Sequence, residues 1–154
     1  MTKMLKIGFR VGPFPSASET FVRDQIRAML DLGHDVSVLA ETADKEMLAR
    51  PEFEWAGALS SLKYLNDPST LEGRIKSKLP YRVRKKMLNT AERKFSAETD
   101  VVVCNFGWFG QSLAENSPQS DAAAIVTIFH GADMSTSLQS ISGNPYAELF
   151  ERGE

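Results

Sequence analysis

The chain has 154 residues, 42% hydrophobic and 25% charged, with seven prolines and a formal net charge of −2. That is the make-up of one cored, soluble domain, and it excludes a disordered tract or two domains of ordinary size. A single cysteine excludes an intrachain disulfide and a thiolate metal cluster, which suits a reducing, cytoplasmic compartment.

The N-terminal "MLKIGF", residues 4–9, reads as a first strand. Gly8 and Arg10 interrupt its apolar residues too early for a signal-peptide core, and no segment of the chain reaches the roughly 18 apolar residues of a membrane span. "RVGPFPSAS" follows, where Gly12, Pro13 and Pro15 are expected to end regular structure in a loop. From Glu19 to Leu32, Phe21, Val22, Ile26, Met29 and Leu30 recur at helical spacing, and Gly33 supplies a stop. Ser16 and Glu19 have the capping-box spacing, with Ser18 a competing N-cap.

"DVSVLA", residues 35–40, alternates as a second strand, so a βαβ unit with a parallel pair is expected. Residues 41–99 carry weaker signals. Their first half, with Trp55, Tyr64 and Pro68, reads as short helices and loops. In "YRVRKKMLNTAERKFSAE", Val83, Met87, Ala91 and Phe95 fall at four-residue intervals among basic side chains, which predicts an amphipathic basic helix. From Arg74 to Lys94 nine Lys or Arg stand against one acid, Glu92. Such segregation favours an anionic surface; nucleic-acid binding through residues 74–94 is the weakest option, because no reading motif accompanies the charge, and no nucleic-acid partner is expected. "DVVVCNF", 100–106, and "AAAIVTIF", 122–129, are continuous apolar runs expected as third and fourth strands covered on both faces, with a helix over "GWFGQSLAEN", 107–116, between them. The fold class is α/β, a parallel sheet flanked by helices.

In such sheets ligands bind beyond the carboxyl ends of the strands. Three unusual segments fall there: "GPFPSASET", "NFGWFG" and "HGADMS". His130 stands where an imidazole can leave the core and enter the cleft, or cap the strand end by bonding a carbonyl, and Gly131 permits close approach of a ligand. Asp133 reads either as a ligand contact or as the N-cap of a following turn. Ser18 and Thr20 bring hydroxyls and, with Glu19, a helix N-terminus, suited to an anionic or hydroxyl-rich ligand or to capping alone. Phe106, Trp108 and Phe109 offer a stacking face or serve as core. The chain lacks G-x-G-x-x-G after the first strand, a Walker lysine motif and a G-x-S-x-G elbow, so dinucleotide enzymes, P-loop NTPases and α/β-hydrolases are disfavoured. That first strand also lacks the acidic end of a phospho-receiver. Two histidines and one cysteine form no metal-ligand spacing.

"FPSASETFVRDQIRAMLDLGHDVSVLA", then "TIFHGADMS", then "PYAELFERGE" resemble the N-terminal half of bacterial glycosyltransferases of family 4, of the colanic-acid exopolysaccharide type. The resemblance implies a GT-B architecture, in which residues 1–154 form a Rossmann-like, acceptor-side domain, truncated before its later strands and lacking the nucleotide-sugar domain. It implies retaining transfer from a nucleotide-sugar donor to a saccharide or lipid-linked saccharide acceptor, with no cofactor beyond that donor. His130 matches the family histidine that faces the donor sugar, and Gly12 the glycine-bearing loop near the donor phosphates. Relatives often carry His-Phe-Gly where this chain has Asn105, Phe106 and Gly107. An asparagine hydrogen-bonds but holds no charge, which puts an acid or base role there in doubt. The resemblance also implies peripheral docking on the inner face of the cytoplasmic membrane, for which Arg82, Arg84, Lys85, Lys86, Arg93 and Lys94 are the candidates. The fragment alone is expected to be inactive. The rival expectation is a non-catalytic module that binds a sugar or a partner chain and pairs as a homodimer through an unpaired sheet edge.

Overall fold

Alternation along the first two strands sorts side chains onto two faces of a sheet. In the computed structural model, which describes residues 3–117, 123–131, 133, 135 and 143–152, the sheet has five strands, all parallel. They are β1 (Lys6–Phe14), β2 (Asp35–Ala43), β3 (Ser61–Asn66), β4 (Val101–Asn105) and β5 (Ala124–Ile128), in the order β3-β2-β1-β4-β5. The helices include α1 (Thr20–Asp31), α2 (Lys45–Leu48), a 3-10 helix over Pro51–Ala58, α3 (Leu71–Ser77), α4 (Tyr81–Ala97), α5 (Gly107–Asn116) and α6 (Ala147–Arg152). Among the described residues no helix is long and apolar enough to cross a membrane.

Ile7, Phe9 and Val11 of β1 join Val36 and Val38 of β2 against Val22 and Ile26 of α1. Leu39, Val102 and Cys104 pack instead with Phe95 of α4 and Phe109 and Leu113 of α5. The sheet is thus sandwiched between α1 on one face and α4 with α5 on the other. Gly8 makes this possible at the centre, because a Cβ there would stand 2.7 Å from the Phe95 ring. Only the second half of α4 is used in this way: its buried residues are Glu92, Phe95 and Ser96.

Several expectations need correction. β1 does not end at Phe9 but continues through Gly12 and Pro13, because β4 pairs with it only as far as Arg10 while β2 accompanies it to Phe14. Pro13 therefore sits where one side of the strand has no partner to lose. The capping box does not form: Glu19 is the N-cap of α1 without a side-chain bond, and the Ser16 and Ser18 hydroxyls lie 3.1 Å apart. The stretch read as short helices and loops contains β3, an edge strand with no fully buried residue. β4 matches its expected run closely. β5 spans 124–128, is the other edge, and is not covered on both faces, since Val126 is 47% exposed. Residue 122, with which that strand was expected to open, lies outside the described residues. On α4, Val83 and Met87 are exposed rather than packed, whereas Phe95 is core.

Candidate functional site

β4 ends on Asn105, and the next residue, Phe106, has φ 92°, a backbone conformation that side chains rarely adopt. Holding a non-glycine residue there costs of order 1 to 3 kcal/mol, and such positions gather at ligand sites. The Phe106 ring is stacked flat on Trp108, with centroids 4.7 Å apart and an interplanar angle of 3°, and its centroid lies 4.7 Å from the His130 imidazole. Phe21, from the first turn of α1, closes on His130 at 4.5 Å. Three segments widely separated in sequence thus build one aromatic cluster at the carboxyl edge of β4 and β5, with Trp108 41% exposed on its outside. Phe109 turns inward instead, where the Arg10 guanidinium lies 4.2 Å over its ring.

Polar groups converge on the same place. Among the described residues, His130 Nε2, Glu19 Oε2 and Asn105 Oδ1 are buried without a hydrogen-bond partner. Asn105 is otherwise held, its Nδ2 donating to Gln25 Oε1 at 3.1 Å. Burial pushes the Glu19 carboxyl above its ordinary value of 4.5, and the charge of His130 pulls it partly back. A buried polar atom left unpaired costs roughly 1 to 3 kcal/mol, so three of them beside exposed aromatic surface are what a hydroxyl-bearing ligand would satisfy.

Asp133 holds this arrangement together. Its Oδ1 accepts the His130 backbone N–H at 2.6 Å, and its Oδ2 accepts the Gly107 N–H at 2.7 Å. The Tyr146 hydroxyl donates to the Asp133 carbonyl at 3.0 Å. Asp133 is fully buried with both carboxylate oxygens engaged, so it acts on the site by positioning His130 and the start of α5. It bonds back to a residue three positions earlier, as the third residue of a helical turn does in a capping box, rather than capping as the N-cap itself. Gly107 is required by packing, since a Cβ there would collide with the Phe129 ring and lie 2.8 Å from that of Tyr146. Gly131 is exposed with open space around it. Ser18 and Thr20 are exposed beside Glu19. Gly12 lies inside β1, where a Cβ would make only ordinary contact with Phe109.

A second polar centre lies on the opposite face from α1. Arg10, 1% exposed, donates from Nε to Glu92 Oε1 at 2.9 Å and from Nη1 to its neighbour's carbonyl, that of Val11, at 2.7 Å. Its Nη2 reaches Glu41 at 3.4 Å. Glu92, fully buried, accepts on Oε2 from Ser112 at 2.7 Å and Asn116 at 2.9 Å. The pair ties β1 to α4 and α5. Neither residue emerged as a site from the sequence, though each was an anomaly: a cation that interrupts the N-terminal apolar residues and the one acid of a basic segment. Phe21 and Gln25, read only as helix positions, also belong to the strand-end cluster.

The six basic candidates on α4, Arg82, Arg84, Lys85, Lys86, Arg93 and Lys94, are all exposed and form no part of the strand-end cluster. Burial pushes the Cys104 thiol up to about 12, so it is no nucleophile near neutrality. Among the described residues no group of three His, Cys, Asp or Glu is arranged to hold a metal ion.

No protein-family model matches the chain. It is similar along 97% of its length to two bacterial proteins, each named "Putative colanic acid biosynthesis glycosyltransferase WcaL". That of Salmonella typhimurium is 29% identical and that of Escherichia coli K12 27% identical. The chain covers 43% of each, less than half the length of these relatives. Among solved structures, the C-terminal domain of a hydrogenase from Pyrococcus furiosus shares 17% identity at a TM-score of 0.47, over 82% of this chain and 93% of that one, a likeness that carries no functional weight.

Proposed function

We propose that the chain forms the acceptor-side part of a retaining glycosyltransferase of GT-B architecture, which moves a sugar from a nucleotide-sugar to a saccharide or lipid-linked saccharide acceptor in surface polysaccharide assembly. The observation that supports this most is the likeness to two glycosyltransferases along 97% of the chain, whose span includes the aromatic and polar cluster at the strand ends. In this reading Phe106 and Trp108 offer a flat apolar surface to the face of a sugar ring. His130, Asn105 and Glu19 hydrogen-bond its hydroxyls, Ser18 and Thr20 extend that polar wall, and Gly131 lets the ligand approach the backbone. Gly12 stands nearest the donor phosphates. Catalysis rests on positioning and on electrostatic stabilisation of the separating sugar and nucleoside diphosphate. The cations of α4 dock the enzyme on an anionic cytoplasmic membrane face, each contributing about 1 kcal/mol near such a surface.

Saturation-transfer NMR on the chain with saccharides and nucleoside-diphosphate sugars tests the binding step, and a transfer assay on the uninterrupted reading frame that contains it tests turnover. Sugar protons are expected to be saturated by the wild type and not by Trp108→Ala, and His130→Ala is expected to reduce transfer about a hundredfold or more. Absence of transfer from every donor offered would sink the reading.

The exposed Val126 on edge strand β5 favours one alternative, a non-catalytic sugar-binding module that pairs through that edge. In that case sedimentation gives a dimer that Val126→Lys dissociates.

A further inference from the structure

The first half of α4 overhangs the sheet without packing on it: residues 81–87 are all exposed. Between this overhang and the faces of β2 and β3 lies a cavity of about 720 Å³. That is within the roughly 300 to 1,000 Å³ of small-molecule sites. Leu39, Leu65 and Phe95 line it on the sheet side, and Tyr81, Met87 and Leu88 on the helix side. Five cations line it too: Lys63, Lys76, Arg84, Lys85 and Lys94, against two acids, Glu41 and Glu115. Glu41 leans on Arg10, and Glu115 accepts from Gln111 at 2.9 Å. Lys63 and Lys94 share Glu98 at 3.3 and 3.9 Å, and Lys76 pairs with Glu72. Among the described residues Arg84 and Lys85 make no ion pair, so two guanidinium or ammonium groups at the groove are uncommitted.

We infer that this groove holds a single phosphorylated amphiphile, its phosphate on Arg84 and Lys85 and its hydrocarbon chain along the apolar walls. Charge complementarity favours the anion. A purely anionic ligand would leave the apolar lining unexplained, and a neutral hydrocarbon would leave Arg84 and Lys85 without a counter-charge. Leu71 and Ile75 on α3 and Val83 on α4, the helices that supply Lys76 and Arg84 to the lining, are exposed apolar side chains, as suits a ligand drawn from a lipid surface. The groove shares no lining residue with the cluster about His130, so the inference does not depend on glycosyl transfer and its failure leaves that reading standing.

Calorimetry on the 154-residue chain with dodecyl phosphate below its micelle concentration is the test. One site per chain is expected, with no binding of dodecyl maltoside or of inorganic phosphate at the same concentration. Arg84→Ala/Lys85→Ala and Met87→Asp, all at exposed positions, are each expected to weaken binding about tenfold or more while circular dichroism stays unchanged. Arg23→Ala/Arg27→Ala, on α1, is expected to leave it intact. The inference is overturned if dodecyl phosphate does not bind, if inorganic phosphate displaces it at equal concentration, or if the Arg84/Lys85 variant binds as the wild type does.

Discussion

Arg10 and Glu92 form a charged pair withdrawn from water, a contact whose two halves are worth little alone and costly to separate. Glu92→Ala leaves the Arg10 guanidinium buried beside a hole and strands the Ser112 and Asn116 donors, so urea unfolding is expected to show a loss of about 3 to 5 kcal/mol. Arg10→Met/Glu92→Leu, which removes both charges, should recover most of that loss. Glu19 behaves in the opposite sense. A carboxyl whose proton affinity rises on folding binds its proton more tightly when folded, so stability falls as pH climbs from 4.5 towards the raised value. Glu19→Gln removes that titration. It is expected to melt above the wild type at pH 7 and to match it near pH 3, and an unchanged difference at both would refute the assignment. The sequence marked Glu19 as a capping residue, because its spacing from Ser16 fits a capping box. That spacing said nothing of His130, more than a hundred positions away.

The α1, α4 and α5 helices and four of the five strands were legible because periodicity and apolar runs register burial directly. β3 was not. "SLKYLN" is an edge strand, half-covered on both faces, so neither clean alternation nor a continuous apolar run marks it. The extension of β1 was hidden for a different reason. Gly and Pro forbid a central strand, but they are tolerated where the neighbour on one side has already ended, and that depends on the length of β4, which no local signal carries. At the junction of β4 and α5 the packing leaves no room for a side chain at residue 107. Gly107→Ala is expected to destabilise the fold by about 1 to 3 kcal/mol through forced displacement of Phe129 and Tyr146, measured as a lowered Tm, and to weaken any ligand stacked on Phe106.

Across the molecule, the Lys and Arg side chains are kept apart from the strand-end cluster. That cluster is aromatic, with Glu19, Asp133 and His130 as its ionisable groups, while the cations concentrate on α3 and α4. A protein of net charge −2 and pI near 5.8 is accordingly expected to be retained by a cation-exchange resin at pH 7 and low salt. It should elute as the Debye length shortens to about 8 Å near 0.15 M, and Arg82→Glu/Lys86→Glu should pass straight through. The segregation was legible from a count of charges along the chain. The site was legible only as three loops at one sheet edge, since which side chains of those loops meet depends on how α5 and the segment after β5 are joined. That joint is Asp133. Because one carboxylate holds the amides of both His130 and Gly107, neither can open to solvent unless that carboxylate gives way or its partner segment moves. Their hydrogen–deuterium exchange should therefore proceed with a shared opening free energy, and a sugar resting on the imidazole would slow exchange at an amide 23 positions earlier in the chain.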